Sequence, residues 1–218
     1  EPSFPGPYIV KPRFGGSSIG IEIVDDLATA RTLASTSPHL GAGAVLEPYR
    51  PHLVDLNISF RTWPALELTE VERPLRAEGE STGLYSYQEK YLAGGGAGLT
   101  HAPREFPAQA PPAVHTAAAE LATAVAEVTR LTGIVRVDLL WDETTGDVFV
   151  NEVNTIPGAL SLYLWAPTHP ALRVLEDALC EARDNPVVFP QSGFGQGVAL
   201  RAAGGIAGKL VGLDGPRG

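Results

Sequence analysis

The sequence has one cysteine, no methionine and no long apolar run among its 218 residues. The single Cys180 excludes an internal disulfide and most structural zinc sites. No apolar stretch approaches the roughly 18–20 residues of a membrane span, and the N-terminus lacks a signal-peptide pattern. Basic residues are also few, since 16 Lys and Arg against 25 Asp and Glu give a formal charge of −9. These absences indicate a cytoplasmic protein whose partner is neither nucleic acid nor a membrane.

Glycine and proline are frequent, with 24 and 19 residues respectively. Together they form roughly a fifth of the chain, below the ~25–30% typical of low-complexity disorder. The chain is therefore expected to fold, with many loops. Because it begins on Glu1 and contains no methionine, we expect it to be part of a longer product.

The hydrophobic pattern predicts a mixture of short strands and helices. Leu56, Ile58 and Phe60 alternate with polar residues, which is typical of a strand with one buried face. Asp25 or Asp26 is suited to cap the first helix. The predicted strands are 8–10, 21–24, 44–49, 54–63, 66–71, 134–141 and 148–153, and the predicted helices run to about 34, over 114–131 and over 169–183. This order predicts an α+β fold with antiparallel strand pairs.

The last two predicted strands form a hairpin that gathers charged residues. If the turn is a three-residue type over 144–146, Asp138 lies opposite Glu152 and Arg136 lies opposite Asn154. All four side chains then project from one face, because side chains alternate along a strand. Asn151 is an exception, since it falls on the apolar face of the second strand.

Two carboxylates this close repel each other unless a proton, a cation or an arginine lies between them. Together with an amide oxygen they are hard ligands that suit Mg²⁺. The neighbouring Arg136 favours an anionic ligand such as a phosphate. The alternative is a surface salt bridge between Arg136 and the acids.

The segment 11–20 is a second candidate site, because Lys11 precedes a glycine- and serine-rich loop. Such a loop can direct several backbone N–H groups toward a phosphate, and Lys11 can add a charge. An ordinary glycine hairpin is the alternative.

The segment 84–91 is a third candidate, with three tyrosines and Lys90 inside the long predicted loop 73–112. The tyrosines either pin this loop to the surface, or the loop is a lid that brings Lys90 over a bound anion.

Taken in order, these segments resemble the ATP-grasp ligases, and most closely the D-alanine–D-alanine ligase branch. The resemblance covers about residues 7–165. The matching stretches are 10–20 for Val-Lys-Pro-x-x-x-Gly-Ser-Ser-x-Gly, 45–47 for the adenine-binding Glu after an apolar strand, 87–91 for Tyr-x-x-Lys-Tyr, 136–138 for Arg-x-Asp and 152–158 for Glu-x-Asn-Thr-x-Pro-Gly.

The resemblance implies an ATP-grasp fold, with antiparallel sheets, flanking helices and the nucleotide between two subdomains. It places a small subdomain with the glycine-rich loop at 1–72, incomplete at its N-terminus. A larger subdomain with the mobile loop and the metal hairpin follows at 73–183, and a Gly/Pro-rich extension occupies 184–218.

The resemblance also assigns roles to individual residues. The ATP-binding residues are Lys11, Ser17, Ser18, Glu47, Tyr49, Asp55 and Lys90. Two Mg²⁺ ions, which Mn²⁺ could replace, are bound by Asp138, Glu152 and Asn154. The residues that act on the reacting groups are Arg136, Lys90, Ser18 and the backbone N–H of Gly158.

The implied activity is an ATP-dependent carboxylate–amine ligase that forms an amide or peptide bond through an acyl phosphate. Both substrates are small molecules, such as amino acids. The alternatives are another ATP-grasp chemistry, or a nucleotide-binding half that does not turn over. Tyr163 stands nine positions after Asn154, where D-alanine ligases have a small hydroxyl residue for the acceptor, and this indicates a different amine. The family's first domain has no counterpart before Glu1, so we expect a missing N-terminal segment, a partner chain or a homo-oligomer.

Overall fold

The computed structural model describes residues 2–16, 18–75 and 103–186. One compact unit spans Glu1–Glu181, and a second unit spans Ala182–Gly218, of which residues 182–186 are described. The elements are β1 (Tyr8–Pro12), β2 (Glu22–Val24), α1 (Leu27–Thr36), β3 (Ala44–Pro48), β4 (Leu53–Arg61), β5 (Glu67–Leu68), β6 (Arg73–Pro74), β7 (Arg104–Glu105), α2 (Pro112–Thr129), β8 (Ile134–Asp142), β9 (Val148–Asn154), α3 (Leu162–Trp165) and α4 (Ala171–Asp184).

A three-stranded antiparallel sheet in the order β2-β1-β3 forms the N-terminal part. Val10 and Leu46 on one face pack with Ala30 of α1 and with Leu40. Lys11 and Glu47 project from the opposite face, because side chains alternate along each strand. The predicted cap of α1 is confirmed at Asp26, whose Oδ1 accepts a hydrogen bond of 2.8 Å from the backbone N–H of Thr29.

A four-stranded antiparallel sheet in the order β5-β4-β8-β9 forms the centre of the unit. One face is apolar and packs against α2, where small residues let the helix approach closely. Its buried side chains are Leu56, Ile58, Phe60, Val135, Val137, Leu139 and Trp141 from the sheet, and Val114, Ala118, Ala122 and Ala126 from α2. The predicted alternation in β4 and β8 is thus confirmed. The other face of the same strands is polar and positions the site.

The β8–β9 hairpin has the predicted pairs Asp138–Glu152 and Arg136–Asn154. The predicted three-residue turn is wrong. Asp142 donates its backbone N–H to the carbonyl of Asp147 at 2.9 Å, so four residues connect the strands. The register returns to the predicted pairs because Asn151 is an extra, bulged residue between the Leu139–Val150 and Asp138–Glu152 pairs.

Several weaker predictions are corrected in their bounds. The strand predicted at 66–71 is reduced to the two residues Glu67–Leu68. The long loop predicted at 73–112 contains the short paired strands β6 and β7 in its described parts.

No helix among the described residues is long and apolar enough to cross a membrane. The subdomain boundaries predicted at 72 and 183 stay predictions.

Asp142 organises the hairpin loop, and this makes the loop sensitive to acid. Its carboxylate accepts hydrogen bonds from the hydroxyl and backbone N–H of Thr144 and lies 3.2 Å from His52 Nε2. These bonds, led by the Thr144 hydroxyl, lower the pKa of Asp142 to about 2. A lowered pKa stabilises the fold above the ordinary value near ~3.9, and this stability is lost as the pH falls toward 2.

We therefore expect an NMR titration of the Asp142 carboxyl to give a midpoint well below those of exposed aspartates. Asp142→Asn should also flatten the fall in unfolding free energy between pH 4 and 2, because the asparagine side chain does not titrate. Asp147→Asn, an exposed substitution on the same hairpin, is the control. An Asp142 midpoint at the ordinary value would contradict the role given to the Thr144 bonds.

Candidate active site

A cleft of about 300 Å³ lies between the two sheets. It is lined by the polar face of the three-stranded sheet, the glycine-rich loop, the segment 48–55 and the β8–β9 hairpin. Of the predicted site residues, the cleft is lined by Lys11, Ser18, Glu47, Tyr49, Asp55 and Glu152.

Lys11 is one of two cationic side chains that line this cleft, with Arg50, and two side chains hold it. Its Nζ donates to Glu47 Oε2 at 2.7 Å and to Asn151 Oδ1 at 3.2 Å. Glu47 is a diagonal neighbour on the adjacent strand, since it pairs with Ile9 while Lys11 pairs with Val45. Asn151 reaches Lys11 from the other sheet because the β9 bulge turns its side chain toward the cleft. Sequence reasoning missed this role, although the polar residue on an apolar face marked the position.

The loop after β1 requires glycine at Gly20. Its φ is +76°, and a Cβ there would lie 2.5 Å from the Cβ of His39. Ser18, also at a positive φ of 60°, lines the cleft beside it. The predicted roles of Ser17 and Lys90 lie outside the described residues.

The predicted metal ligands lie on adjacent strands of the large sheet. Asp138 and Glu152 are directly opposite each other, and Asn154 is opposite Arg136. Among the described residues no group of three or more acidic, histidine or cysteine side chains forms a metal cluster. A cation held here would therefore rely on two carboxylates, an amide oxygen and oxygens of its ligand, and this donor set suits Mg²⁺.

Arg136 pairs with Asp138 through two hydrogen bonds. Its Nε donates to Oδ1 at 2.6 Å and its Nη2 donates to Oδ2 at 2.8 Å. Burial alone would lower the pKa of Arg136, but Asp138 first and Tyr163 second raise it above its usual range. The guanidinium therefore stays charged beside the predicted metal ligands.

The segment after β9 makes a left-handed turn next to the predicted oxyanion group. Gly158 is followed by Ala159, Leu160 and Ser161, whose φ values are 49°, 50° and 51°. Each residue in this conformation costs about 1–2 kcal/mol, so the turn holds strain. Ser161 is fully buried, and its hydroxyl has no hydrogen-bond partner among the residues that the structure describes. The strained residues directly follow Gly158, whose backbone N–H the family resemblance assigns to stabilising the oxyanion.

A second polar cluster adjoins Asp138, which pairs with Asn57, and this cluster was not predicted. It consists of Glu72, Arg104, Tyr163 and Asn57, which come from four separate segments. Glu72 is buried and lies 3.1 Å from Arg104 Nη1, while Asn57 Nδ2 and the Tyr163 hydroxyl donate to it at 3.0 and 3.2 Å. No local pattern marks these residues, because only strand pairing and the turn after β9 bring them together.

The structure thus divides the predicted residues into two groups. One group lines the cleft, as described above. Arg136, Asp138, Asn154 and Gly158 do not line the cleft but belong to β8, β9 and the segment that follows. Glu152 connects the groups, because it lines the cleft and pairs with Asp138.

Comparison with known proteins places this chain beside one family. Residues 2–169 match the model described as D-ala D-ala ligase C-terminus. The D-alanine–D-alanine ligases of Acidiphilium cryptum and of Caulobacter sp. (strain K31) are 34% and 33% identical over 154 and 159 residues. Each alignment covers 71% of this chain, but 46% and 45% of the relative. The chain therefore spans about half the length of the curated relatives it matches.

Solved structures agree in fold. D-alanyl-alanine synthetase A from Vibrio cholerae superposes with a TM-score of 0.64 and 21% identity, covering 82% of this chain and 53% of that one. The VanG D-Ala:D-Ser ligase from Enterococcus faecalis gives a TM-score of 0.61 and 19% identity, covering 82% of this chain and 50% of that one.

Proposed function

Because this chain belongs to the family of D-Ala–D-Ala ligase C-terminal domains and has the predicted α+β ATP-grasp fold, we propose that it carries the nucleotide- and metal-binding part of an ATP-dependent carboxylate–amine ligase. The substrates are a small carboxylate and a small amine, such as amino acids. The activity and substrates of a whole ligase are part of this proposal, since the chain spans about half the length of its relatives.

One observation carries the proposal: Lys11 and the glycine-rich loop line the same cleft as Glu152, which is paired with Asp138. A triphosphate with bound cations needs this combination of positive charge, backbone N–H groups and carboxylates. Glu47, Tyr49 and Asp55 line the same cleft and are proposed to contact the nucleoside.

The proposed reaction transfers the γ-phosphate of ATP to an oxygen of the carboxylate, giving an acyl phosphate and ADP. The amine then attacks the acyl carbon, and collapse of the tetrahedral intermediate releases phosphate and leaves an amide. Arg136 and the Gly158 N–H stabilise the oxyanion. Two Mg²⁺ ions, or Mn²⁺, held by Asp138, Glu152 and Asn154 would supply neutralising charge on the phosphates. The protein contributes positioning and electrostatics.

The amine is proposed to differ from D-alanine, because Tyr163 replaces the small hydroxyl residue expected nine positions after Asn154. Its hydroxyl is already committed to Glu72. A cytoplasmic location and an additional segment, partner chain or homo-oligomer stay predictions.

Lys11→Ala is expected to weaken MgATP binding by about 10- to 100-fold, which corresponds to the loss of a charged hydrogen bond. Isothermal titration of the 218-residue chain with MgATP measures this change directly. Arg31→Ala removes a cation from α1, on the other side of the small sheet, and should leave the affinity unchanged. Equal MgATP affinity of Lys11→Ala and the wild type would remove Lys11 from the nucleotide site.

ADP and phosphate release from MgATP with a panel of amino acids tests the activity itself. Release that depends on an amino acid supports the ligase. Tight MgATP binding without release under any amino acid would favour a nucleotide-binding part that does not turn over by itself. Absence of MgATP binding would reject both functions.

A further inference from the structure

We propose that Asn151 positions the ammonium group of Lys11 toward the phosphates of the nucleotide. This inference deepens the proposed function and rests on it, because Lys11 meets phosphates only if the cleft binds a nucleotide. Asn151 is a positioning residue, since its effect on the nucleotide passes through Lys11. It lies outside every stretch that carries the family resemblance.

The bulge in β9 brings Asn151 into the cleft. Consecutive side chains of a regular strand point to opposite faces of the sheet. Asn151 and Glu152 are consecutive, yet both line the cleft. They can do so because Asn151 is the extra, bulged residue in the register of β8 and β9. The bulge therefore sets a neutral amide beside a proposed metal ligand on the same side of the strand.

Lys11 is held by acceptors from both sheets. Its Nζ donates to Glu47 Oε2 on the neighbouring strand β3 at 2.7 Å, and to Asn151 Oδ1 on β9 at 3.2 Å. An ammonium has three N–H donors in a tetrahedral arrangement. Two acceptors at separate positions therefore fix its rotation and set the direction of the third N–H. That third donor is left for an oxygen of a ligand in the cleft.

The two acceptors of Lys11 differ in charge, and the difference defines the role of Asn151. The carboxylate of Glu47 offsets the positive charge that attracts a phosphate, whereas the amide oxygen of Asn151 orients the ammonium and leaves its charge in place. With Glu47 alone, the ammonium would rest on the face of the small sheet. The bond from β9 draws it toward the strand that carries Glu152, so Lys11 and the cation site can act on the same phosphates.

A second contact ties β9 to the other cationic side chain of the cleft. The guanidinium of Arg50 lies 5.8 Å from the ring centroid of Phe149, within the range of a cation–π interaction. Phe149 pairs with Leu140, which also lines the cleft. Both cationic side chains that line the cleft thus contact β9. The bond between Asn151 and Lys11 is therefore supported by a neighbouring contact along the same strand.

Asn151→Leu tests this role because it removes the amide and keeps a side chain of similar size. We expect the affinity for MgATP to fall about three- to tenfold, the effect of one lost hydrogen bond. The affinity for adenosine should change by less than about twofold, because adenosine has no phosphate for Lys11 to bind. Isothermal titration measures both, and circular dichroism checks that the variant is folded.

Asn185→Leu is the matched control. It makes the same chemical change at an exposed residue after α4 that does not line the cleft. This variant should bind MgATP and adenosine as the wild type does. An unchanged MgATP affinity in Asn151→Leu would overturn the proposal, and so would an equal loss of affinity for adenosine.

The same substitution in a Lys11→Ala background separates an effect through Lys11 from an effect through the neighbouring Glu152. If Asn151 acts through Lys11, the double variant should bind MgATP no more weakly than Lys11→Ala alone. A further loss equal to that in the wild-type background would mean that Asn151 acts by another route, and this result would overturn the proposal.

An NMR measurement separates this proposal from the proposed function. The order parameter of the Lys11 Cε methylene, assigned by its loss in Lys11→Arg, should fall in Asn151→Leu toward values below about 0.6, which mark flexible groups. An unchanged order parameter would overturn the positioning role. If the wild type binds no MgATP but the order parameter falls, the proposed function fails while the positioning of Lys11 by Asn151 stands.

Discussion

Replacing Glu152 by glutamine is expected to lower amino-acid-dependent ADP release by about a thousandfold, because it removes one of two carboxylates available for the cation that neutralises the phosphates. The substitution keeps the size of the side chain and removes only its charge. Glu152 is exposed and lies in the edge strand β9, so the free energy of unfolding should change by less than about 0.5 kcal/mol. Coupled-enzyme detection of ADP together with urea unfolding measures both quantities.

Glu143→Gln is the matched control, because it makes the same chemical change on the same hairpin. Glu143 is exposed in the loop, outside the cleft, and 3.6 Å from Arg73. Its variant should release ADP at the wild-type rate. Wild-type release by Glu152→Gln would exclude Glu152 from the metal site and would leave Asp138 without its proposed partner carboxylate.

The pairing of Asp138 with Glu152 was predictable, although the predicted β8–β9 turn was one residue too short. The strand alternation identified the face, and Gly146, the last residue of the predicted turn, has a positive φ of 82°. The connection is one residue longer than predicted, and the bulge at Asn151 removes the resulting shift. Asn151 was the sequence signal for this bulge. A polar side chain on the apolar face of a strand indicates that the strand is irregular there.

The cluster around Glu72 was not predictable from local patterns. Its carboxylate belongs to a segment between two-residue strands, which are too short to give a periodic signal. Arg104 and Tyr163 approach it only because β6 pairs with β7 and the chain turns back after β9. Such contacts depend on long-range pairing, which hydrophobic periodicity does not encode. The motifs predicted the residues of the candidate site but not the contacts of this buried cluster.

Trp165→Ala is expected to lower the free energy of unfolding by about 3–5 kcal/mol, the range for removing a large buried aromatic side chain. Trp165 is fully buried in α3 and packs with Ile134 and Val174. Its Nε1 donates to Ser59 Oγ at 3.2 Å, and that hydroxyl donates to the Val135 carbonyl at 2.9 Å. Removing the indole therefore opens a cavity and leaves the buried Ser59 with one bond fewer.

Trp165→Phe keeps a ring in this site and loses only the indole N–H and part of the volume. Its expected cost is about 1–2 kcal/mol, which includes the lost hydrogen bond. Urea unfolding followed by circular dichroism measures both variants, because the chain has only three tryptophans and fluorescence would change with the substitution itself. A loss below 1 kcal/mol for Trp165→Ala would mean that α3 is not tightly packed on the large sheet.

The two tryptophan variants also test how the strained turn is held. Residues 159–161 keep a left-handed conformation only if the packing around them offsets the unfavourable free energy of that conformation. Trp165 ends α3, the short helix that follows this turn, and donates a hydrogen bond to Ser59 on the polar face of β4. If the packing of Trp165 holds the turn, Trp165→Phe should lower kcat for amino-acid-dependent ADP release while the affinity for MgATP stays unchanged. Equal losses of kcat and MgATP affinity would instead indicate a general loosening of the fold, because Trp165 does not line the nucleotide cleft.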